Sequence, residues 1–125
     1  MQNHILAERL ARTYVESWNT YNSAMLANIL DPACILIEAD GQIFRGARRI
    51  VHELDQRIAG VYGEWSISRW DITALVVDDA ICAFEWAFAG RGAMDGVSIM
   101  RFRDGRIVSM REYCTTGQLW EATGE

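Results

Sequence analysis

Hydrophobic side chains recur at helical spacing over residues 3 to 30 of the chain. Asn19 and Asn22 interrupt this pattern, and Ser23 is predicted to cap a short second helix that runs through Leu30. The sequence therefore predicts two consecutive helices. The apolar positions of the first helix, which follow the 3.6-residue period, are Ile5, Leu6, Leu10, Tyr14, Val15 and Trp18.

The pattern changes after Pro32, where a short β-branched run predicts a strand over residues 34–38 that ends at Glu38. Asp40-Gly41 is a typical hairpin turn, and residues 42–45 form the predicted return strand. A third helix is predicted from Gly46 and ends at Gly60 or Gly63. Its apolar face consists of Ala47, Ile50, Val51, Leu54 and Ile58.

The second half of the chain alternates apolar and polar residues, which indicates strands over 65–77, 81–89, 97–103 and 106–114. Turns are predicted at Asp78-Asp79 and Asp104-Gly105. Helices segregated to one side of an antiparallel sheet give an α+β domain. A strongly curved sheet with three helices on its concave side would form a half-open cone with a pocket.

The composition narrows the function classes. A length of 125 residues fits a single domain over 1–125, and 50% hydrophobic with 23% charged residues is typical of a folded globular chain. The net charge is −5 and every one of the 12 basic residues is arginine, which argues against a nucleic-acid or anionic-membrane partner. No apolar run is long enough to span a membrane, and the N-terminal segment lacks the order of a signal peptide, so we expect a cytoplasmic protein.

The residues that usually bind metals or nucleotides lack the required spacing. Three widely spaced cysteines predict reduced core residues of a cytoplasmic protein. His4 and His52 are far apart, and His52 is predicted to face the surface. Gly90-Arg91-Gly92 has no strand-to-helix context that would make it a phosphate cradle. We therefore expect neither a metal nor a cofactor. The cysteines are Cys34, Cys82 and Cys114.

The order of elements, together with several residues, resembles the NTF2-like superfamily, in particular its SnoaL-like and ketosteroid-isomerase-like branch. The resemblance covers nearly the whole chain, and it implies the cone fold with a hydrophobic pocket. The superfamily includes isomerases, cyclases, dehydratases, epoxide hydrolases and non-catalytic modules, so the fold does not select one function. The residues that carry the resemblance are Tyr14-Val15, Asn19, Glu38, Phe44-Arg45-Gly46, Ile50 and the segment 100–113.

Carried over by position, the resemblance implies a catalytic base at Glu38 and an oxyanion-binding phenol at Tyr14. Ser98 lies where the isomerase has a second, protonated acid, and a hydroxyl is a weaker hydrogen-bond donor. The stretch after the aromatic residue of the last strand, 113–116, contains none of the carboxylates that the cyclase branch has there.

Three polar residues each have two interpretations. Glu38 either points into the cup as a proton shuttle or is a solvated carboxylate at a strand end. Tyr14 either binds an oxyanion or is a core tyrosine bonded to a backbone carbonyl. Glu112 either faces Glu38 across the cup as a second carboxylate or pairs with an arginine near the rim.

Large apolar side chains alternate along the last strands and predict a wall of the cup. We expect them to form the core at the narrow end and to contact ligand at the mouth, where Trp18 and Trp86 are the first candidates. With Glu112 and Trp18, the predicted ligand-binding set contains Phe84, Trp86, Phe88, Met100 and Met110, and Phe102 belongs to the same wall.

The sequence leaves two functions open. One is a cofactor-independent isomerase- or cyclase-type enzyme that moves a proton on a hydrophobic carbonyl or polyketide-like compound. The other is a non-catalytic module that binds a small hydrophobic molecule or only dimerises. A homodimer is expected in both cases, with arginines on the polar side of the sheet either in the interface or solvated. These are Arg69, Arg101, Arg103 and Arg111.

Overall fold

The computed structural model describes residues 2–60, 69–89 and 94–114, and these form three helices and one sheet of six strands. The elements in chain order are α1 (Gln2–Asn19), α2 (Ser23–Ile29), β1 (Leu30–Ile37), β2 (Ile43–Arg45), α3 (Ala47–Ile58), β3 (Arg69–Asp78), β4 (Ile81–Ala89), β5 (Met94–Arg103) and β6 (Arg106–Cys114).

The sheet has the strand order β2-β1-β6-β5-β4-β3. Four of its pairings are antiparallel, but β1 pairs with β6 in parallel. The sequence analysis predicted a purely antiparallel sheet, which is wrong at this position. Hairpin turns indicate only how neighbouring strands pair, and a parallel partner is reached through a long crossover that leaves no local signature.

All three helices pack on one face of the curved sheet, which confirms the predicted α+β cone. Helix α1 contacts β3 and β4, α3 contacts β1 and β2, and α2 lies against both other helices. The core between the helices and the sheet is apolar, and it fills the cone except at the open end. Its largest fully buried side chains are Tyr14, Phe84, Leu26, Leu30, Leu36, Ile50, Leu54, Met100, Ile107 and Met110.

The break between α1 and α2 lies where the two asparagines predict it, but the cap differs. The side chain of Asn22, rather than Ser23, accepts a hydrogen bond from the Met25 amide at 3.0 Å. Asn22 has the extended backbone that an N-cap requires, and Ser23 is already the first helical residue. The Ser23 hydroxyl instead hydrogen-bonds to Asp55 of α3, so it connects two helices.

Strand boundaries differ from the prediction by a few residues. Strand β1 begins at Leu30, so Pro32 lies inside a strand that it was predicted to precede. The pairing of β1 with β6 shifts register between Leu30 and Ile35. Pro32 lies in this irregular part, where its missing backbone N–H does not interrupt a regular ladder of hydrogen bonds. Strand β5 begins earlier than predicted, and the predicted residues 65–68 of β3 lie outside the described residues.

Helix α3 turns most of its predicted apolar face to the core, since Ile50 and Leu54 are buried and Ala47 and Val51 pack against the core. Ile58 was expected to face the core, but it is 49% exposed. Buried Ile50, Glu53 and Leu54 define the inner face, and Arg57 continues it at the same helical spacing. The last turn of α3 therefore carries a guanidinium, not an isoleucine, towards the sheet.

The remaining sequence predictions concern single residues. Cys34 and Cys82 are buried, Cys114 is half-buried, and all three are free thiols. His4 and His52 are exposed. None of the helices within the described ranges is long and apolar enough to span a membrane.

The side chain of Asn19 joins the end of α1 to the edge strand β3. Its amide nitrogen donates to the Trp70 carbonyl at 2.7 Å, and its oxygen accepts from the Trp70 amide at 2.9 Å. The Asn19 carboxamide thus forms both of its hydrogen bonds with the backbone of Trp70. These bonds fix Trp70 relative to the helix.

We predict that Asn19→Ala lowers the free energy of unfolding by about 1–3 kcal/mol, because it leaves both backbone groups of Trp70 without a protein partner. Denaturant midpoints measure the effect. Thr20→Ala is the control, since the exposed Thr20 hydroxyl bonds only to its own helix at Glu16. Equal midpoints for the two variants would show that this connection does not stabilise the fold.

Candidate functional site

A cavity of about 190 Å³ opens between the helices and the wide end of the sheet. Its described wall combines six aromatic rings with two carboxyl groups, one guanidinium and one carboxamide. The lining residues are Tyr14, Trp18, Asn19, Tyr21, Glu38, Arg57, Trp70, Trp86, Phe88 and Glu112.

Cross-strand register explains how the sheet contributes to this wall. Met100 of β5 pairs with Met110 of β6, and both are fully buried in the core. Two residues further along, Ser98 pairs with Glu112, and Gly96 pairs with Cys114 after that. Glu112 therefore lies one row closer to the open end than the last methionine pair, where the core ends and the cavity begins.

Arg57 forms the electrostatic centre of the wall. Its Nη2 atom lies 3.2 Å from Oε2 of Glu38 and 3.4 Å from Oε2 of the buried Glu53. The guanidinium also lies over the Trp18 ring, 5.0 Å from its centroid. Because the side chain of Arg57 is only 20% exposed, these contacts are screened less than surface ion pairs.

Glu38 faces the cavity, which excludes the solvated interpretation of this residue. Its side chain is 16% exposed, and its backbone closes the β1–β2 hairpin through Gln42. Burial raises the pKa of the Glu38 carboxyl, while the adjacent Arg57 guanidinium opposes that shift. Glu38 is therefore the cavity carboxyl with a directly bonded counter-ion.

Glu112 also faces the cavity but has a different environment. Within the described residues it forms no hydrogen bond or ion pair, so the predicted arginine partner at the rim is wrong. Burial, followed by the charge of Glu38, raises the pKa of the Glu112 carboxyl to about 8, while Arg57 opposes this shift at longer range. At neutral pH, Glu112 is thus mainly a protonated hydrogen-bond donor.

Tyr14 provides a phenol on the helix side of the cavity. The Tyr14 side chain is 1% exposed, and its ring lies edge-on to Trp18 and Trp70 at centroid distances of 6.2 and 5.9 Å. No bond from its hydroxyl to a backbone carbonyl occurs in the described part of the chain. Burial, followed by the charges of Glu112 and Glu38, raises the pKa of Tyr14 well above its ordinary value. The phenol is therefore protonated and lies near both carboxyl groups.

Ser98 does not line the cavity, although its position suggested a ligand-binding hydroxyl. It is fully buried, and its Oγ accepts a hydrogen bond from Nε1 of Trp86 at 3.0 Å. Ser98 thereby orients Trp86, which does line the cavity. Glu112, the direct partner of Ser98 on the neighbouring strand, does line the cavity.

The predicted apolar contacts divide into two groups. Trp18, Trp86 and Phe88 line the cavity. By contrast, three of the predicted ligand contacts are core residues. Alternation identifies the face of a strand but not the depth at which the core ends. These residues are Phe84, Met100 and Met110, all buried beneath the cavity.

Sequence reasoning missed the roles of Arg57, Tyr21 and Trp70. Arg57 had a signal that could have revealed it: Ile50, Glu53, Leu54 and Arg57 share helical spacing, so two charged residues interrupt one inner face. A charge at such a position either pairs with another or faces a cavity. Tyr21 follows the end of α1 and has a positive φ of 55°, which the pattern of hydrophobic positions does not reveal.

The described residues contain no group of three or more His, Cys, Asp or Glu side chains that could hold a metal ion. What the cavity does contain is a carboxyl group beside the Arg57 guanidinium, a second carboxyl group whose pKa is raised to about 8, and a phenol. Such an arrangement can accept a proton at one position and donate hydrogen bonds to an oxygen at another.

Gly96 allows Trp86 to lie flat across β5. A Cβ atom at this position would overlap the Tyr113 carbonyl oxygen and would lie 2.7 Å from Cζ2 of Trp86. The two residues are direct cross-strand partners, so a side chain at 96 would displace the indole.

We predict that Gly96→Ala destabilises the protein by about 1–3 kcal/mol, because overpacking forces the strand or Trp86 to move. Unfolding midpoints give the free energy, and near-ultraviolet circular dichroism reports the change around the indole. Val97→Ala, on the exposed side of the same strand, should change stability by no more than about 0.5 kcal/mol. A Gly96→Ala protein with unchanged stability and spectrum would contradict the proposed packing.

Glu112 should also make stability depend on pH. Its folded pKa of about 8 lies above the unfolded value, so between about pH 4.3 and 8 the folded state binds more protons and stability falls as pH rises. Glu112→Gln removes this loss. We predict similar stability of wild type and variant near pH 5 and an advantage for the variant on the order of a few kcal/mol at pH 9.

Thermal unfolding from pH 5 to 9 tests this expectation. Glu85→Gln is the matched control, since Glu85 lies on the exposed side of β4 and bonds to Thr73. Parallel stability curves for wild type and Glu112→Gln would show that Glu112 is ordinarily solvated.

Comparisons with known proteins agree with this architecture. No curated protein matches the chain. A protein of unknown function with a cystatin-like fold from Methylobium petroleophilum PM1 is 25% identical, with a TM-score of 0.73, over 97% of this chain and 81% of that one. A candidate ketosteroid isomerase from Kribbella flavida DSM 17836 is 15% identical, with a TM-score of 0.75, over 90% and 79%.

An epoxide hydrolase of M. tuberculosis, described as LEH-like, is 18% identical, with a TM-score of 0.73, over 89% of this chain and 84% of that one. These likenesses establish the cone fold, and their different activities show that the fold alone does not select a reaction. The family described as the SnoaL-like domain matches residues 11–110, which is most of the chain. The protein therefore belongs to the SnoaL-like domain family.

Proposed function

We propose that this protein catalyses cofactor-independent proton transfer on a small hydrophobic carbonyl compound, as an isomerase-type enzyme. Glu38 is the base, and Tyr14 and protonated Glu112 are the hydrogen-bond donors to the carbonyl oxygen. The observation that carries the proposal is the contrast between the two cavity carboxyl groups. One is paired with Arg57, whereas the other forms no ion pair with any described residue and has a pKa that burial raises to about 8.

The proposed reaction uses Glu38 beside its Arg57 counter-ion as a carboxylate, and it uses Glu112 and Tyr14 in their protonated forms. The Glu38 carboxylate takes a proton from the carbon next to the carbonyl, and the electron pair moves onto the carbonyl oxygen. Hydrogen bonds from Tyr14 and Glu112 stabilise the resulting enolate. Return of the proton from Glu38 to a different carbon completes an isomerisation, with no net change in protons or electrons. Ketosteroid isomerase separates the pKa values of its carboxyl groups in the same way.

This proposal gives Glu112 the role that position had suggested for Ser98. A carboxylic acid is a stronger donor than a hydroxyl, and Glu112 lines the cavity whereas Ser98 does not. Arg57 acts as a positioning residue, because it orients Glu38 and opposes the rise in the pKa of Glu38 that burial causes. The aromatic wall excludes water from the reacting atoms, which strengthens both hydrogen bonds.

The size of the cavity guides the choice of substrates. A volume of about 190 Å³ is smaller than the roughly 300–1,000 Å³ of typical drug-sized pockets. We therefore propose small monocyclic substrates, such as β,γ-unsaturated cyclic ketones. A homodimer and a cytoplasmic location remain predictions, and the oligomeric state can be measured by light scattering.

We predict that a screen of small β,γ-unsaturated ketones finds turnover that Glu38→Gln reduces by about 10²–10⁴-fold, because the base is lost. Glu112→Gln and Tyr14→Phe should each reduce kcat by about 10–10³-fold with a small change in KM, because each removes a donor to the developing charge. The kcat profile should fall as pH rises through 8, and Glu112→Gln should remove that decline. Glu85→Gln serves as the control with full activity.

The alternative function, a non-catalytic module that binds a small hydrophobic molecule, gives a different result in the same experiment. Ketones would then bind without turnover, and Glu38→Gln would not alter their affinity by more than a few fold. A wild-type protein with no turnover of any enolisable ketone that binds would contradict the enzyme proposal.

A further inference from the structure

The charges along the cavity wall are not balanced within the described residues. Arg57 is the only described lysine, arginine or histidine side chain in the wall, and two carboxylates, Glu38 and Glu53, lie within 3.4 Å of it. Its positive charge is therefore already engaged at the α3 side. Glu112, on the sheet side, has no comparable partner there, so an ionised Glu112 would carry an uncompensated charge into the cavity.

The rest of the wall is mostly aromatic. Six of the ten described lining residues have aromatic rings, and neighbouring rings are strongly inclined to one another. The ring planes of Trp70 and Trp86 are inclined to each other by 81°, and those of Tyr14 and Trp70 by 67°. Aromatic faces carry negative electrostatic potential, and inclined rings can surround a rounded apolar cation on several sides.

One contact already shows that a ring of this wall binds a cation. The Arg57 guanidinium lies 5.0 Å from the centroid of the Trp18 ring. Aromatic rings and a carboxylate together suit a weakly hydrated organic cation, since such an ion loses little solvation when it enters an apolar site. A small inorganic cation would need several oxygen ligands, and the described residues contain no such group.

We propose that the cavity also binds a small alkylammonium ion, which lies among the aromatic rings with the Glu112 carboxylate as its counter-ion. This goes beyond the proposed proton transfer and does not depend on it, because it concerns binding alone. The two functions use opposite states of one group. Protonated Glu112 donates to a carbonyl oxygen, and ionised Glu112 pairs with the ammonium.

Cation binding must then be coupled to the release of a proton from Glu112. The charged or titratable groups around Glu112 are Tyr14 from α1, Glu38 and Asp40 from the β1–β2 hairpin, Arg57 from α3, and Cys114 on its own strand. An ammonium ion would offset the effect of Glu38 and lower the pKa of Glu112. Binding at pH 7 should therefore release about one proton, by linkage.

Isothermal titration calorimetry with choline, tetramethylammonium and the uncharged choline isostere 3,3-dimethylbutan-1-ol tests the proposal on the wild-type protein. Choline should bind at least about tenfold more tightly than the isostere at pH 8.5. Its affinity should rise about 50-fold between pH 6 and 8, because Glu112 is ionised to about 1% and about 50% at these values. Titrations in buffers of different ionisation enthalpy measure the released proton directly.

Glu112→Gln should weaken choline binding and remove its pH dependence, whereas Glu85→Gln should leave both unchanged. The proton release needs no variant, so it tests the proposal even if Glu112→Gln folds poorly. Equal affinity for choline and its isostere, an affinity independent of pH from 6 to 8, or no choline binding at millimolar concentration would overturn the proposal. Ketone turnover is measured separately, so either proposal can fail while the other holds.

Discussion

The position of the Arg57 guanidinium makes the two carboxyl groups of the cavity electrostatically different. Its contacts with Glu38 and Glu53 compensate two carboxylates on one side of the cup. Glu112 on the other side receives only a weaker, longer-range effect, and burial therefore dominates its titration. Two chemically identical side chains thus acquire different electrostatic surroundings from one asymmetrically placed cation.

This asymmetry depends on how the elements meet. Helix α3 brings Arg57 to the cavity and holds it against the buried Glu53 one turn earlier, and the β1–β2 hairpin brings Glu38 to meet Arg57. The sheet places Glu112 one row above the methionine core, where Trp86 is held over Gly96 by Ser98. Asn19 fixes the edge strand that carries Trp70. Ser98 and Gly96, which do not line the cavity themselves, therefore help to determine its shape.

Much of the architecture could be predicted because local chemistry determines it. Helical spacing in α1, the Asp40-Gly41 turn and the Asp104-Gly105 turn each act over a few residues, and their elements appear where expected. The parallel pairing of β1 with β6 could not be predicted, since it joins segments that are far apart in the chain. The inward placement of Glu38 and Glu112 followed from alternation and the family resemblance.

The finer features of the site depend on how deeply each sheet residue is buried and on which α3 residue faces the cavity. The pattern of hydrophobic positions describes both of these poorly. A shift of one position in α3 exchanges Ile58 for Arg57 at the cavity and changes its electrostatics completely. Likewise, alternation placed Phe84, Met100 and Phe88 on the same sheet face, but only Phe88 reaches the cavity. Where a core ends and a cavity begins is set by the shape of the whole sheet.

The parallel pairing of the first and last strands has a consequence for how the molecule assembles. Strand β1 obtains its neighbour on that side only from β6, after every intervening element has been synthesised. Closing so long a loop is entropically costly, and folding that depends on non-local pairing is slow. On the ribosome, the nascent chain can form its helices early, but the cup that joins Tyr14 to Glu112 must await the emergence of β6.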